Sequence, residues 1–174
     1  MHPVNENKQL KYCTEIWPAY LIAFFAACLH MYFSQRLGYL QDELYYIEAS
    51  KHLAFGYTDC TPLIPFLFRV ARVLFGESIV GIRLLGAIFH AIVIILGAQV
   101  VKCLDGKRFS ILLSSICLFS FPMLLRGGGL LVTQTLEPVF WTMIAYISIL
   151  ILQKSSLRLW LLWGLFIGLA AMNK

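Results

Sequence analysis

The chain has 174 residues, 60% of them hydrophobic and 13% charged, with a formal net charge of +5 and a mean hydropathy of +0.78. That balance excludes an ordinary soluble domain, which exposes far more charge, and the apolar runs are long enough for a bilayer, which takes about 20 residues per helix. The basic residues are dispersed rather than interleaved with aromatics in a polar segment, which argues against a nucleic-acid partner and for contact with lipid headgroups.

In chain order, residues 1–15 are polar and mixed in charge (Glu6, Lys8, Lys11, Glu15), expected to be a cytoplasmic tail before an uncleaved first span. That span is expected at 16–33, with Trp17 and Tyr20 at one interface and Tyr32 and Arg36 at the other. Residues 34–78 are too polar to span and form the first outer loop. Two helices amphipathic enough to lie on the membrane are expected inside it. The first runs over 42–55, with Asp42 as N-cap and Gly56 as stop; the second runs over 62–75, opened by Pro62 and stopped by Gly76. Further spans are expected at 79–101, 109–125, 136–152 and 157–172. The fold class is therefore all-α integral membrane, with five transmembrane helices in one domain over 16–174.

Lys8 and Lys11, then Lys102, Lys107 and Arg108, then Lys154 and Arg158 all fall on one side of such a bundle. The positive-inside rule makes that side cytoplasmic and a plasma-membrane protein the simplest setting. The five cysteines (Cys13, Cys28, Cys60, Cys103, Cys117) form no CxxC pair. They point neither to a disulfide framework nor to zinc, but to small buried apolar residues.

The acidic residues sort unevenly: Asp42, Glu43, Glu48, Asp59, Glu77 and Glu137 all belong to the outer side. Two carboxylates from different outer loops, Asp42 and Glu137, can serve as a general base and its partner or share a divalent cation. The plainer alternative is that Asp42 caps its helix and that Glu137, ahead of Pro138, complements the next helix dipole. Arg83, one turn into the second span, either snorkels to headgroups or binds a phosphate, and Arg69 and Arg72 carry the same two readings. His52 and His90 stand at no metal-ligand spacing, and His90 is expected to hydrogen-bond a neighbouring helix. Gly127-Gly128-Gly129 marks a closely approached outer loop rather than a phosphate loop.

Several stretches taken together resemble one family: GYLQDELYYIEASKHLAFGYTDCTPLIPFLFRVARVLFGES after the first span, IRLLGAI in the second, QTLEPVFWT at the fourth and GLAAMNK at the end. They resemble the amino-terminal part of membrane glycosyltransferases of the GT-C class, in the glycosyltransferase 39 family. That family is related to protein O-mannosyltransferases and lipid A aminoarabinose transferases. The resemblance implies a helical bundle with two surface helices in the first outer loop. It also implies inverting transfer of a sugar from a polyprenyl-phosphate donor to a lipid, glycan or protein acceptor at the outer face.

By that resemblance Asp42 matches the catalytic aspartate and Glu43 completes the acidic pair. Asp59 shapes the acceptor or sugar pocket. Glu137 occupies a second acidic position where relatives carry aspartate, and Gln134 stands where asparagine is usual. Arg69 and Arg83 are the candidates for stabilising the leaving phosphate. Relatives continue into further spans beyond Asn173-Lys174, so the chain is expected to be an amino-terminal piece whose activity alone is an open matter. The competing reading is a non-catalytic multi-pass protein, transporter-like or partner-binding. A transporter, however, places charge near the midplane, and these spans are nearly free of it.

Overall fold

A computed structural model of the protein describes residues 6–34, 36, 38–57 and 60–173, with side chains from Ile16 onward. Its elements are α1 (Glu6–Ser34), α2 (Gln41–Ala49), α3 (Leu63–Phe75), α4 (Ile79–Cys103), α5 (Arg108–Ser120), α6 (Pro122–Gly127), α7 (Thr133–Gln153) and α8 (Leu157–Ala171). Among the described residues the regular structure is entirely helical, as an all-α membrane protein requires.

Among the described residues three segments are long and apolar enough to cross a bilayer: Ile16–Ser34 of α1, all of α4 and all of α7. By contrast, α5 and α8 are apolar but shorter. The expected single span over 109–125 is divided at Phe121, and the reason lies in Pro122. Proline has no N–H to bond the carbonyl four residues back, and its ring crowds that carbonyl. The residue four back is Leu118, and its carbonyl oxygen lies 3.3 Å from His90 Nε2 on α4. The break leaves an acceptor in an apolar bundle, and a neighbouring helix satisfies it.

The bundle is built around α4, against which α1, α5 and α7 pack along its length and α3 at its beginning. Close approach of α1 follows from its sequence. Ala19, Ala23 and Ala26 recur at helical spacing and are buried with Ile94 and Ala98 of α4, while Phe24 and Phe25 on the other side are exposed. Small residues on one stripe let two helix backbones approach where lipid offers no hydrophobic drive.

The α2–α3 segment sits at the end where α1 finishes and α4 and α7 begin. Ile64, Phe68 and Ala71 of α3 are buried against Ile82, Leu131, Leu136 and Phe140. Burial of Phe68 and Ile64 stabilises the docked helix by roughly 1.5–3 kcal/mol each. The first surface helix is shorter than expected, ending at Ala49 rather than near 55. The chain then wraps round Tyr57, whose hydroxyl accepts from Ala54 N (3.0 Å) and lies 2.9 Å from His52 O and 3.1 Å from Ala49 O. Ser50 closes the turn, with Arg72 Nη1 donating to its hydroxyl at 3.0 Å.

Candidate functional site

The N-terminus of α2 is set by Glu43, and this corrects the expectation that Asp42 caps it. The N-cap is Leu40, and the Glu43 carboxylate reaches back to accept the Leu40 N–H at 3.0 Å. A glutamate at the third helical position is well placed for that bond, half of a capping box.

Glu43 also meets Arg83. Arg83 Nε donates to Glu43 Oε1 at 3.0 Å and Nη2 to Oε2 at 2.6 Å, in the two-pronged geometry that favours arginine over lysine. Nη1 donates to Ser34 O at 2.9 Å and Nη2 to Gly38 O at 2.7 Å. Glu43 is 0% exposed and Arg83 1% exposed. Arg83 therefore neither snorkels nor presents a free fork to a ligand. It binds the end of α1, the 34–40 linker and α2 into one unit, and its charge is balanced in place.

Asp42 is one residue away, about 100° around the helix, and its side chain is exposed. With Gln41, Tyr45 and Tyr46 it lines a cleft of about 290 Å³. Tyr46, one turn on, is half-buried, with its ring against Phe68 at 5.6 Å. Burial, then the Asp42 charge, then Cys60, push its phenol above its ordinary pKa, and the nearby Thr133 side chain opposes them. Tyr45 packs edge-on to Tyr46 at 5.7 Å.

The other sequence candidates are distributed around this centre. Glu137, in the first turns of α7, lines a separate groove of about 300 Å³ with Phe140, Trp141, Ile167 and Asn173. Asn173 Nδ2 donates to the Thr133 carbonyl at 3.1 Å, which ties the end of α8 to the start of α7. Arg69 is exposed on α3, and Arg72 is engaged by Ser50 and Glu77. Gln134 is exposed beside Thr133. Asp59 lies outside the described residues.

Residues that the sequence alone did not single out complete the picture. A third cleft, of about 630 Å³, is lined by His30, Ser34, Tyr39, Arg83 and Arg126. Arg126 is exposed at the end of α6. Behind the cleft His30 Nε2 and His90 Nδ1 are 2.7 Å apart, both rings buried. His90 thus bonds two neighbours, as expected of a histidine within a span. The expectation for the glycine run also holds at Gly128, where an added Cβ would collide with the His30 ring. Among the described residues no group of three His, Cys, Asp or Glu side chains converges as a metal site.

A family model described as dolichyl-phosphate-mannose-protein mannosyltransferase matches residues 59–174. The match takes in Arg83, Arg126, Thr133 and Glu137, and begins after α2. No curated protein and no solved structure is matched.

Proposed function

Because the chain belongs to the dolichyl-phosphate-mannose-protein mannosyltransferase family, we propose that Asp42 is the general base of a transferase that takes sugar from a polyprenyl-phosphate carrier. The family makes it a membrane glycosyltransferase of the GT-C type; the donor, the acceptor and the residue roles are our reading. The observation that carries it is the contrast between adjacent carboxylates. Glu43 is consumed by Arg83 and the Leu40 N–H, whereas Asp42 is held on the same rigid helix with its carboxylate open to a cleft. A base needs that combination of fixed position and access to a substrate hydroxyl.

In the proposed reaction Asp42 takes the proton of the acceptor hydroxyl as its oxygen attacks the anomeric carbon. The bond from that carbon to the carrier phosphate breaks on the opposite side, giving inversion, and the lipid phosphate leaves with the bonding pair. An exposed cation is needed for that charge, and Arg69 on α3 and Arg126 on α6 are the two we assign to it. Arg83 contributes by holding Glu43 and the helix rather than by touching phosphate. Glu137 and Asp59 are assigned to the acceptor side. We place this face outside the plasma membrane and the N-terminus in the cytoplasm, because Lys102, Lys107, Arg108, Lys154 and Arg158 gather at the opposite end.

The test is sugar transfer from a polyprenyl-phosphate donor in membranes, with Asp42→Asn beside the natural chain at equal expression. Loss of the base should cost about 10²–10⁴-fold in rate. Transfer that persists in the variant removes Asp42 from the mechanism.

A further inference from the structure

The cleft of about 630 Å³ opens between the end of α1, residues 38–40, the end of α6 and residues 129–130. Several polar groups on its wall are committed within the protein. The Ser34 hydroxyl donates to Met31 O at 2.9 Å, the Tyr39 hydroxyl to Glu77 O at 3.3 Å, and Arg83 to Glu43. Arg126 and His30 are not spent in this way. Arg126 is exposed, and among the described residues no carboxylate pairs with it.

His30 is 6% exposed, and its bonds decide which nitrogen is left for a ligand. A neutral imidazole has one donor and one acceptor nitrogen. Leu118 O can only accept, so His90 Nε2, 3.3 Å from it, carries the proton of that ring. His90 Nδ1 is then an acceptor, and His30 Nε2, 2.7 Å away, donates to it. The His30 proton is thereby placed on Nε2, and Nδ1 is left as an acceptor. Among the described residues nothing donates to this nitrogen, although a buried acceptor without a donor is costly.

A glycine keeps the space beside Nδ1. A Cβ added at Gly129, which also lines the cleft, would stand 3.8 Å from Nδ1 and meet nothing closer. That is ordinary contact, and the backbone φ of Gly129 is not positive. Neither packing nor backbone therefore demands glycine there, yet a methyl would occupy the approach to the one open acceptor.

These groups define what fits. An acceptor nitrogen takes a hydroxyl and a guanidinium takes an anion, while Leu29, Phe33 and Leu125 on the same wall are apolar. The volume lies within the roughly 300–1,000 Å³ of small-molecule sites, and Leu40, shortly before Asp42, lines it too. A sugar phosphate on a hydrocarbon carrier brings hydroxyl, anion and apolar surface together. We propose that this cleft holds the donor, with its phosphate at Arg126 and one sugar hydroxyl donating to His30 Nδ1, so that His30 is a specificity-determining residue. The proposal rests on the transferase reading given above.

The test is calorimetric titration of the solubilised chain, without acceptor, using polyprenyl-phosphate mannose, its four monodeoxy forms and bare polyprenyl phosphate. One deoxy form should bind the natural chain about tenfold more weakly than the parent, having lost the hydroxyl that His30 accepts. Gly129→Ala should fold, weaken the parent about tenfold, and leave that deoxy form and bare polyprenyl phosphate within about twofold of their natural affinities. His30→Phe should also lose the discrimination. His30→Gln should keep it, because its amide can donate to His90 and still accept from the sugar. Arg126→Gln should weaken every probe alike.

Deoxy forms that all bind as the parent does overturn the role of His30, as does discrimination that survives both Gly129→Ala and His30→Phe. Probes blind to Arg126→Gln, a natural chain that binds none of them, or displacement of the donor by an equal concentration of phosphatidylglycerol overturn the donor site. Transfer that Asp42→Asn abolishes, without any hydroxyl discrimination in binding, removes His30 and keeps the transferase reading. Selective binding by a chain that transfers nothing keeps the site and fails the transferase reading.

Discussion

Replacing Glu43 by glutamine should damage this protein far more than the same change at Asp42. The change preserves shape and removes one charge. It leaves the Arg83 guanidinium, 1% exposed, without the carboxylate that balances its charge. Removing one partner of a buried ion pair costs about 3–5 kcal/mol. The glutamine amide oxygen can still accept the Leu40 N–H, so the ion pair sets the cost. We therefore expect Glu43→Gln to lose about 4 kcal/mol of unfolding free energy. Arg83→Met should lose at least as much, since it strands the Glu43 carboxylate and frees two carbonyls that Arg83 now satisfies. Glu43→Met with Arg83→Met removes both charges, so it should be clearly more stable than the sum of the single changes implies, with a coupling of about 3 kcal/mol. The assay is SDS titration of the solubilised chain followed by tryptophan fluorescence, beside the transfer assay. Asp42→Asn, at an exposed position, should stay within about 0.5 kcal/mol of the natural chain while losing transfer. Additive single and double variants, or a Glu43→Gln chain as stable as Asp42→Asn, would show that the pair does not hold the site.

Gly128→Ala puts a methyl against the His30 ring and should cost about 1–3 kcal/mol as overpacking, read in the same titration. His90→Phe fills the space but leaves Leu118 O unbonded where Pro122 has interrupted the helix, and should cost about 1–3 kcal/mol; Pro122→Ala in that background should recover part of it by letting the helix continue. Tyr46 has its phenol raised above 10.0, chiefly by burial and then by Asp42. A raised pKa means that its stabilisation is complete below the unfolded value and is lost as pH climbs through the folded one. Tyr46→Phe should therefore flatten the alkaline limb of an unfolding profile taken above pH 10.0 and leave the neutral limb parallel to that of the natural chain.

How much of this was legible in the residues varies by element. The three long spans follow from apolar length alone, because a bilayer sets that length. The divided third span was not seen, although Pro122 was visible. Its cost depends on whether a neighbour can bond Leu118 O, and that partner, His90, is 28 residues away. The second surface helix matched over 63–75, where proline, glycine and amphipathic spacing agree. The first was extended too far, because nothing local announces that the Tyr57 hydroxyl will gather the backbone of residues 49–54. Among candidate site residues, Arg69 and Arg83 could be recognised but not sorted. They differ in what faces them, and Glu43 lies 40 positions from Arg83. Tyr45 and Tyr46 are not among the sequence candidates, although their spacing from Asp42 on a helix is a usable signal.

The sequence pair Asp42-Glu43 acquires its meaning from a single step along α2. Two adjacent carboxylates cannot face the same way on a helix, so burying one presents the other. Here the buried member is Glu43, whose longer side chain reaches both the Leu40 N–H and the Arg83 fork. Had Asp42 been the buried member, its carboxylate would have stopped a methylene short, and the exposed glutamate would have carried more rotamer freedom into the cleft. Order within the pair thus matters chemically: the shorter acid is the one left open beside the cleft of about 290 Å³. This gives a prediction that neither residue yields alone. Exchanging the two, as Asp42→Glu with Glu43→Asp, preserves charge and composition yet should lose both the α2 anchorage, by about 2–3 kcal/mol as the bonds to Arg83 and Leu40 lengthen, and transfer. An exchanged chain that folds and transfers like the natural one would show that the site tolerates either order, and that the contrast between the two carboxylates carries no function.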